Sequence, residues 1–393
     1  MSLDPQGDRA PLAGVRVLDL TAIVMGPLAT QLLADLGADV IKIEPPEGDV
    51  LRKVGAPPGS DRGPLFLHLN RNKRSVVLDL KAAADRDALL RLARQADILV
   101  HSMRPQAMAR LGLDYAVLAA LNPRLIYAGL FGFGQSGPYA EDGAFDDLIQ
   151  AISGLADLMG RSTDGRPRYV PANLADRTVG LYAFGLISAA LFRRERTGLG
   201  CELGVPMFET LAGLLFGDHL FGHSFVPPQG PMGYPRLMVR DRGPFPTRDG
   251  HICCMIYTDA QWRAFLKAIG RDGDLAADVR LTDMAARTRH SEELFALIAA
   301  ATSEHPTAHW LGLLRGAGLT VVAMRSLDAL LDDPHLGATG FFQETEEPGG
   351  ETLRLLRPAG DWSDWRHVTR RAPPHLGEHT RDVLGEGRGR GWS

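Results

Sequence analysis

Between residues 15 and 130, short apolar runs alternate with helix-spaced stretches, and this alternation limits the fold more than any other feature. The runs 15–21 (VRVLDLT), 38–44 (ADVIKIE), 75–80 (SVVLDL), 97–102 (DILVHS) and 125–130 (LIYAGL) read as strands. The stretches 26–37 and 83–96 between them have amphipathic-helix spacing. A strand that is apolar along its length needs cover on both faces, and helices between strands supply it. The expected class is therefore α/β with a mostly parallel sheet. Further on, 179–196 is apolar almost all round and predicts a buried helix. Residues 201–207 read as another strand and 208–222 as another helix. The Pro- and Gly-rich stretch 227–246 reads as a linker, and an Asp249-Gly250 turn between strand-like runs opens a smaller unit.

Gly132-Phe-Gly134-Gln-Ser-Gly137 follows the strand-like run 125–130 with the G-x-G-x-x-G spacing of a dinucleotide loop. That fingerprint needs its third glycine inside the first turn of a helix that receives the pyrophosphate. Here Gly137 is followed by Pro138 and by Asp142-Gly143, and the next periodic helix begins near Phe145. The acidic residue required about 20 positions on, at a strand end, is missing as well. The motif reads as a turn, and NAD is not expected.

Of the 393 residues 45% are hydrophobic, enough core for two to three domains. A net charge of −4 counts against a nucleic-acid partner. Three cysteines, Cys201, Cys253 and Cys254, make no disulfide framework and suit a reducing cytoplasm. The Cys253-Cys254 pair lies in the apolar run HICCMIY and is expected to be buried. Neither C-x-x-C nor H-E-x-x-H occurs, so no metal is expected. The first 14 residues lack the apolar core of a signal peptide, and the apolar run 179–192 is too short to span a bilayer. The expected setting is the cytoplasm, without a membrane partner.

Segments 17–49, 69–81, 96–115, 121–155, 186–209, 333–342 and 376–384, in this order, resemble the class III CoA-transferases. That family includes formyl-CoA transferase, carnitine CoA-transferases and α-methylacyl-CoA racemase. The resemblance implies a Rossmann-like large domain, begun by 1–226 and completed in its sheet by the tail 318–393. A smaller α+β domain with its linker, 227–317, is inserted between, and two subunits interlock as a homodimer. It also implies transfer of CoA from an acyl-CoA thioester to a free carboxylic acid, with coenzyme A as substrate and no tightly bound cofactor.

By the same resemblance the nucleophile is Asp176, in YVPANLADRTVGLYAFG at the entry to the long apolar helix. A helix N-terminus favours a carboxylate anion by about 0.3–1 kcal/mol, so Asp176 is expected to stay ionised and nucleophilic. The local alternative is a simple N-cap. The implied CoA contacts are Leu78 and Lys81 beside the nucleotide, Ser102 and Met103 near the adenine, and Arg110 with Leu111. Val24 and Met25 fall along the pantetheine channel, where an apolar Val24 counts against formate and oxalate as acids. Backbone N–H groups of the turn 132–137 are candidate donors to tetrahedral intermediates. The racemase branch opposes its aspartate with a histidine, because inversion needs a proton carrier on each face. This chain has Phe145 there, which disfavours racemisation and is expected to be a further CoA contact. A catalytically silent acyl-CoA-binding homologue is the other alternative. Asp146 reads either as a helix N-terminal residue or as a supporting carboxylate, and His101, at a strand end, as structural.

Overall fold

The structure is a computed structural model that describes residues 9–240, 242–347, 350–385 and 392. They form two compact units. The first takes the described residues of Met1–Ser153, Pro171–Ala212 and Pro334–Ser393; the second takes Gly154–Val170 and Gly213–Asp333. The expected domain limits at 226/227 and 317/318 both lie inside the second unit.

In chain order the elements to residue 219 are β1 (Arg16–Leu20), α1 (Met25–Asp35), β2 (Asp39–Glu44), α2 (Pro64–Asn70), β3 (Lys73–Val77) and α3 (Ala83–Ala93). Then come β4 (Ile98–His101), α4 (Pro105–Arg110), α5 (Tyr115–Leu121), β5 (Ile126–Phe131) and α6 (Asp146–Ile152). α7 (Leu155–Arg161), α8 (Leu174–Thr197), β6 (Cys201–Pro206) and α9 (Met207–His219) complete the run. The six strands form one wholly parallel sheet in the order β3-β2-β1-β4-β5-β6. Their apolar residues explain this: Val17, Leu18, Val40, Ile41, Ile98 and Leu99 are all fully buried, which only a sheet covered on both faces allows. Each such side chain contributes roughly 1.5–3 kcal/mol on burial. The strand order reverses between β1 and β4. Open α/β sheets bind ligands at that switch, beyond the carboxyl ends of the strands.

α8 departs from expectation. It buries one stripe, Ala175, Val179, Ala183, Ile187, Ala190 and Leu191, at helical spacing. Leu181, Tyr182 and Phe192, the last 68% exposed, stand on its open face. An all-round apolar composition thus marks one packed face and one face without cover in the single chain. With 24 residues α8 is longer than the apolar run 179–192, and by length and composition it could cross a membrane. Its buried stripe packs on α1, β5 and β6, the role of a core helix. Gly180 permits the close approach to α1, because a Cβ there would meet the Met25 carbonyl oxygen at 2.7 Å. Gly180→Ala is the single change that would push the two helices apart.

Among the described residues the tail adds no strand to this sheet, contrary to the expectation. It lines the β3 edge through isolated hydrogen bonds: Asn72 N–H to the Arg371 carbonyl (3.0 Å) and His379 N–H to the Ser75 carbonyl (3.0 Å). Gly377 N–H also donates to Ser75 Oγ (2.9 Å). Pro373 and Pro374 have no N–H with which to build a ladder. A separate antiparallel hairpin, β10 (Phe342–Glu346) with β11 (Thr352–Leu356), precedes that segment.

The second unit carries an antiparallel sheet of β7 (Phe245–Thr247), β8 (Gly250–Cys254) and β9 (Val321–Ala323). β7 and β8 meet at the expected Asp249-Gly250 turn, with Thr247 opposite Gly250. Ile252 and Cys254 face its core with Phe245, Trp262, Phe265 and Leu314. Cys253 is exposed, not buried as expected, because successive strand residues point to opposite faces.

Candidate active site

Two cavities lie at the carboxyl end of the six-stranded sheet, and they divide the predicted site residues between them. The first, about 360 Å³, is walled by the segments that follow β1, β4 and β5. It collects Asp176, Val24, Met25, Ser102 and Phe145. The second, about 380 Å³, lies beyond β1, β2 and β3 and collects Leu78, Lys81, Met103, Arg110 and Leu111. The turn after β4 joins them, since Ser102 lines one and its neighbour Met103 the other. Asp176 and the nine predicted CoA contacts each line one of the two, whereas Asp146, His101, Gly134 and Gly137 line neither.

Asp176 stands in the first turn of α8 but does not cap it. The N-cap is Asn173, whose side chain makes no capping bond. The first-turn N–H of Asp176 instead donates to Asp146 Oδ1 at 2.9 Å, so the cap comes from a different helix. Asp146 opens α6, is buried, and has its other oxygen held by Gln150 Nε2 at 2.6 Å. The geometry contains both readings of Asp146: it stands in the first turn of α6 and also accepts the Asp176 N–H.

The consequence for Asp176 is electrostatic. Burial, and then the charge of Asp146, push its carboxyl up to about 7, with Arg177 pulling weakly the other way. This corrects the expectation of a fully ionised group. A helix N-terminus favours the anion by at most about 2 kcal/mol even when partly buried, and here desolvation and a second carboxylate outweigh it. Near neutrality Asp176 is thus shared between its acid and carboxylate forms.

The remaining lining separates polar from apolar walls. Val24 and Met25 are buried, Ser102 and Phe145 exposed. Arg104 also lines this cavity and was not singled out from sequence. Pro105 at the first position of α4 fixes Arg104 as an extended N-cap residue. Its guanidinium makes no hydrogen bond or ion pair among the described residues, and it is the one cation lining the cavity. Phe145 lines this cavity, and no histidine does.

The glycine turn behaves as the sequence suggested: no helix follows Gly137 before α6. Two of its N–H groups are already used, however. Gly134 N–H donates to Glu209 Oε1 (2.9 Å) and Gly137 N–H to the Gly134 carbonyl (3.1 Å). Gly132 lines the cavity and is packed so tightly that a Cβ would lie 2.2 Å from the Ala144 Cβ. His101 is buried at the end of β4 between the rings of Tyr127 and Phe131. Burial lowers it to about 4, so it is neutral, with Nδ1 at 3.1 Å from the Met103 carbonyl.

In the second cavity Leu78 is buried and Met103 and Leu111 are half-buried, an apolar floor. Lys81 and Arg110 are exposed at its edge, and neither side chain has an ion pair among the described residues. An apolar floor with cations at the edge suits a planar ring system carrying phosphates.

The sequence profile of CoA-transferase family III matches residues 12–380. The chain belongs to that family. It is an enzyme of the transferase type. Among the family's proteins, the succinate–glutarate CoA-transferase of Agrobacterium fabrum is 31% identical, with 98% of this chain and 97% of the relative aligned. The acetyl-CoA:oxalate CoA-transferase of Acetobacter aceti is 39% identical over 81% of each. The crystal structure of an aspartate-to-alanine variant of Rv3272 from Mycobacterium tuberculosis, 32% identical, superposes with a TM-score of 0.83. That match covers 96% of this chain and 99% of the other.

Proposed function

We propose that this family III enzyme moves CoA between carboxylic acids through a covalent thioester on Asp176. The observation that carries the reading is one half-buried carboxylate, held at the start of α8 in a cavity at the switch point of the sheet. A carboxylate oxygen of Asp176 attacks the thioester carbonyl. The C–S bond breaks and the thiolate leaves with its electron pair, giving a mixed anhydride. The thiolate then attacks the Asp176 carbonyl carbon, and the first acid departs as carboxylate. A second carboxylate repeats these steps in reverse and restores Asp176. Thioester energy is kept throughout, so no ATP is consumed. The raised carboxyl supports this, because a poorly solvated carboxylate is the more basic and reactive one.

The nucleotide end of CoA belongs in the second cavity, with Lys81 and Arg110 toward phosphate. The thioester end passes the 102–103 turn to Asp176 and runs along Val24 and Met25. The free acid meets Arg104. Transferases of dicarboxylic acids among the relatives favour a dicarboxylate acceptor, and that argument outweighs the apolar Val24 as a bar to oxalate. Phe145 leaves the face opposite Asp176 without a histidine, which favours transfer over racemisation. We also propose a homodimer, since Leu181, Tyr182 and Phe192 present an apolar face of α8 that a second copy would cover.

The test is intact mass after incubation with an acyl-CoA. The expected result is a CoA adduct that hydroxylamine removes and that Asp176→Ala abolishes. Exchange of the α-proton with deuterated water and no adduct would sink the reading in favour of the racemase. CoA binding with neither outcome would favour a silent homologue.

A further inference from the structure

Ile23 stands in the left-handed region, with φ of 71°. A β-branched residue is out of place there and persists only where its surroundings over-determine it. The surroundings are a set of buried charges. Asp49 Oδ1 accepts the N–H of Ile23 at 3.3 Å and of Leu51 at 3.0 Å. Lys42 Nζ pairs with Asp49 Oδ2 at 2.9 Å and donates to the Thr21 carbonyl at 2.8 Å. Asp19 in turn holds the Thr21 N–H at 3.0 Å. Lys42 and Asp19 are fully buried and Asp49 nearly so.

The loop is also closed by packing. A Cβ on Gly26 would lie 2.3 Å from that of Thr21, and the Met25 carbonyl presses on Gly180, one turn along α8 from Asp176. Between these fixed points, residues 22–25 line the Asp176 cavity. A buried ion pair is often replaceable by apolar residues without loss of stability, so stability alone does not account for this one.

We propose that Asp49 is a positioning residue. It holds the Ile23 peptide in its left-handed turn and so sets Val24 and Met25 against the nucleophile, while Lys42 neutralises its buried charge. The inference rests on the reading of Asp176 as that nucleophile.

Two uncharged double variants separate the clamp from the charges. Lys42→Met with Asp49→Leu removes the acceptor for the Ile23 N–H, whereas Lys42→Met with Asp49→Asn keeps it. In a single turnover, the Leu variant should form the CoA adduct ~10- to 100-fold more slowly than wild type, the scale of a misplacement of about an ångström. The Asn variant should stay within about threefold, and both should bind acyl-CoA with unchanged Kd. Equal adduct rates in the two variants overturn the inference. No adduct in the wild type sinks the reading beneath it and the inference together. Should the Leu variant not fold, amide exchange on the wild type decides. Protection of the Ile23 N–H at the level of β1 supports the clamp, and exchange at the rate of an open loop overturns it.

Discussion

The two cavities at the carboxyl end of the sheet are nearly equal in size, about 360 and 380 Å³, yet they handle charge in opposite ways. Around Asp176 a carboxylate is held where its charge is costly, next to a second carboxylate. Around Leu78 and Met103 the floor is apolar, and the cations Lys81 and Arg110 stay in water at the edge. The first arrangement raises the reactivity of one group. The second offers exposed cations to a long anionic carrier, and the buried carboxylate on its lining, Glu44, is already paired with Arg52. Chemistry and grip are thereby separated by the length of one turn, 102–103, and changes on one side should leave the other untouched.

The largest break is expected from Asp176→Ala. Turnover should fall at least about a thousandfold while acyl-CoA still binds with its wild-type Kd, because the lost group is used in the covalent step and not in holding the nucleotide. Calorimetric titration alongside steady-state rates checks this. A parallel loss of affinity would show that the two cavities are one energetic unit.

Next in size is pH. The proposed nucleophile is the ionised form of Asp176, whose carboxyl lies at about 7. The rate should therefore rise about tenfold per pH unit below 7 and level off above it. Between pH 5 and 8 the gain is roughly a hundredfold. A profile flat from pH 5 upward would mean that Asp176 is solvated, and the contrast between the two regions would vanish.

On the other side, Lys81→Ala and Arg110→Ala should each raise KM for acyl-CoA about tenfold with kcat unchanged, since a charge-assisted contact contributes about 1.5–3 kcal/mol. Both variants should also flatten the dependence of affinity on salt. Arg104→Gln, in the first cavity, should instead raise KM for the free acid about tenfold and leave that for acyl-CoA alone. A rise for acyl-CoA in Arg104→Gln would move that guanidinium from the acid to the carrier's phosphates.

What could be read beforehand divides by range. The parallel strands were legible because β1, β2 and β4 are short, mostly apolar runs separated by helix-spaced stretches, and the glycine turn because Pro138 sits where a helix would start. That the ten named residues belong to a CoA site was legible only through resemblance to a family, since no local pattern brings Lys81 to Arg110, and their division between two cavities was not legible at all. Three features escaped for a common reason. The state of Asp176 depends on Asp146, 30 residues away, whose arrival no helix-terminus argument contains. The Ile23 N–H is bonded by Asp49, from another loop, which in turn pairs with Lys42 of another strand. The open face of α8 looks in sequence like the buried one, because Leu181 and Tyr182 are as apolar as Val179 and Ile187. Composition sets which side chains avoid water but not which neighbour provides the cover.

The smallest expected effect is thermodynamic. The Asp176 carboxyl rises from its ordinary 3.8 to about 7 on folding. The folded state thus favours the protonated form, and this contribution is fully present below pH 4 and lost as pH rises through 7. Above 7 the wild type carries a half-buried charge that the unfolded chain does not resent. The full displacement corresponds to roughly 4 kcal/mol. Partial contact with water reduces this to about 1–2 kcal/mol. Asp176→Asn, which keeps the shape and removes the charge, should accordingly melt about 1–3 °C above wild type at pH 8. The gap should close by pH 4, where both side chains are neutral in the fold. The same pair of melting curves for Lys81→Ala should show no such pH-dependent gap, because that charge stays in water in either state. A variant at Asp176 that melts with the wild type at both pH values would place the carboxylate in solvent and leave the proposed nucleophile no more basic than any surface aspartate.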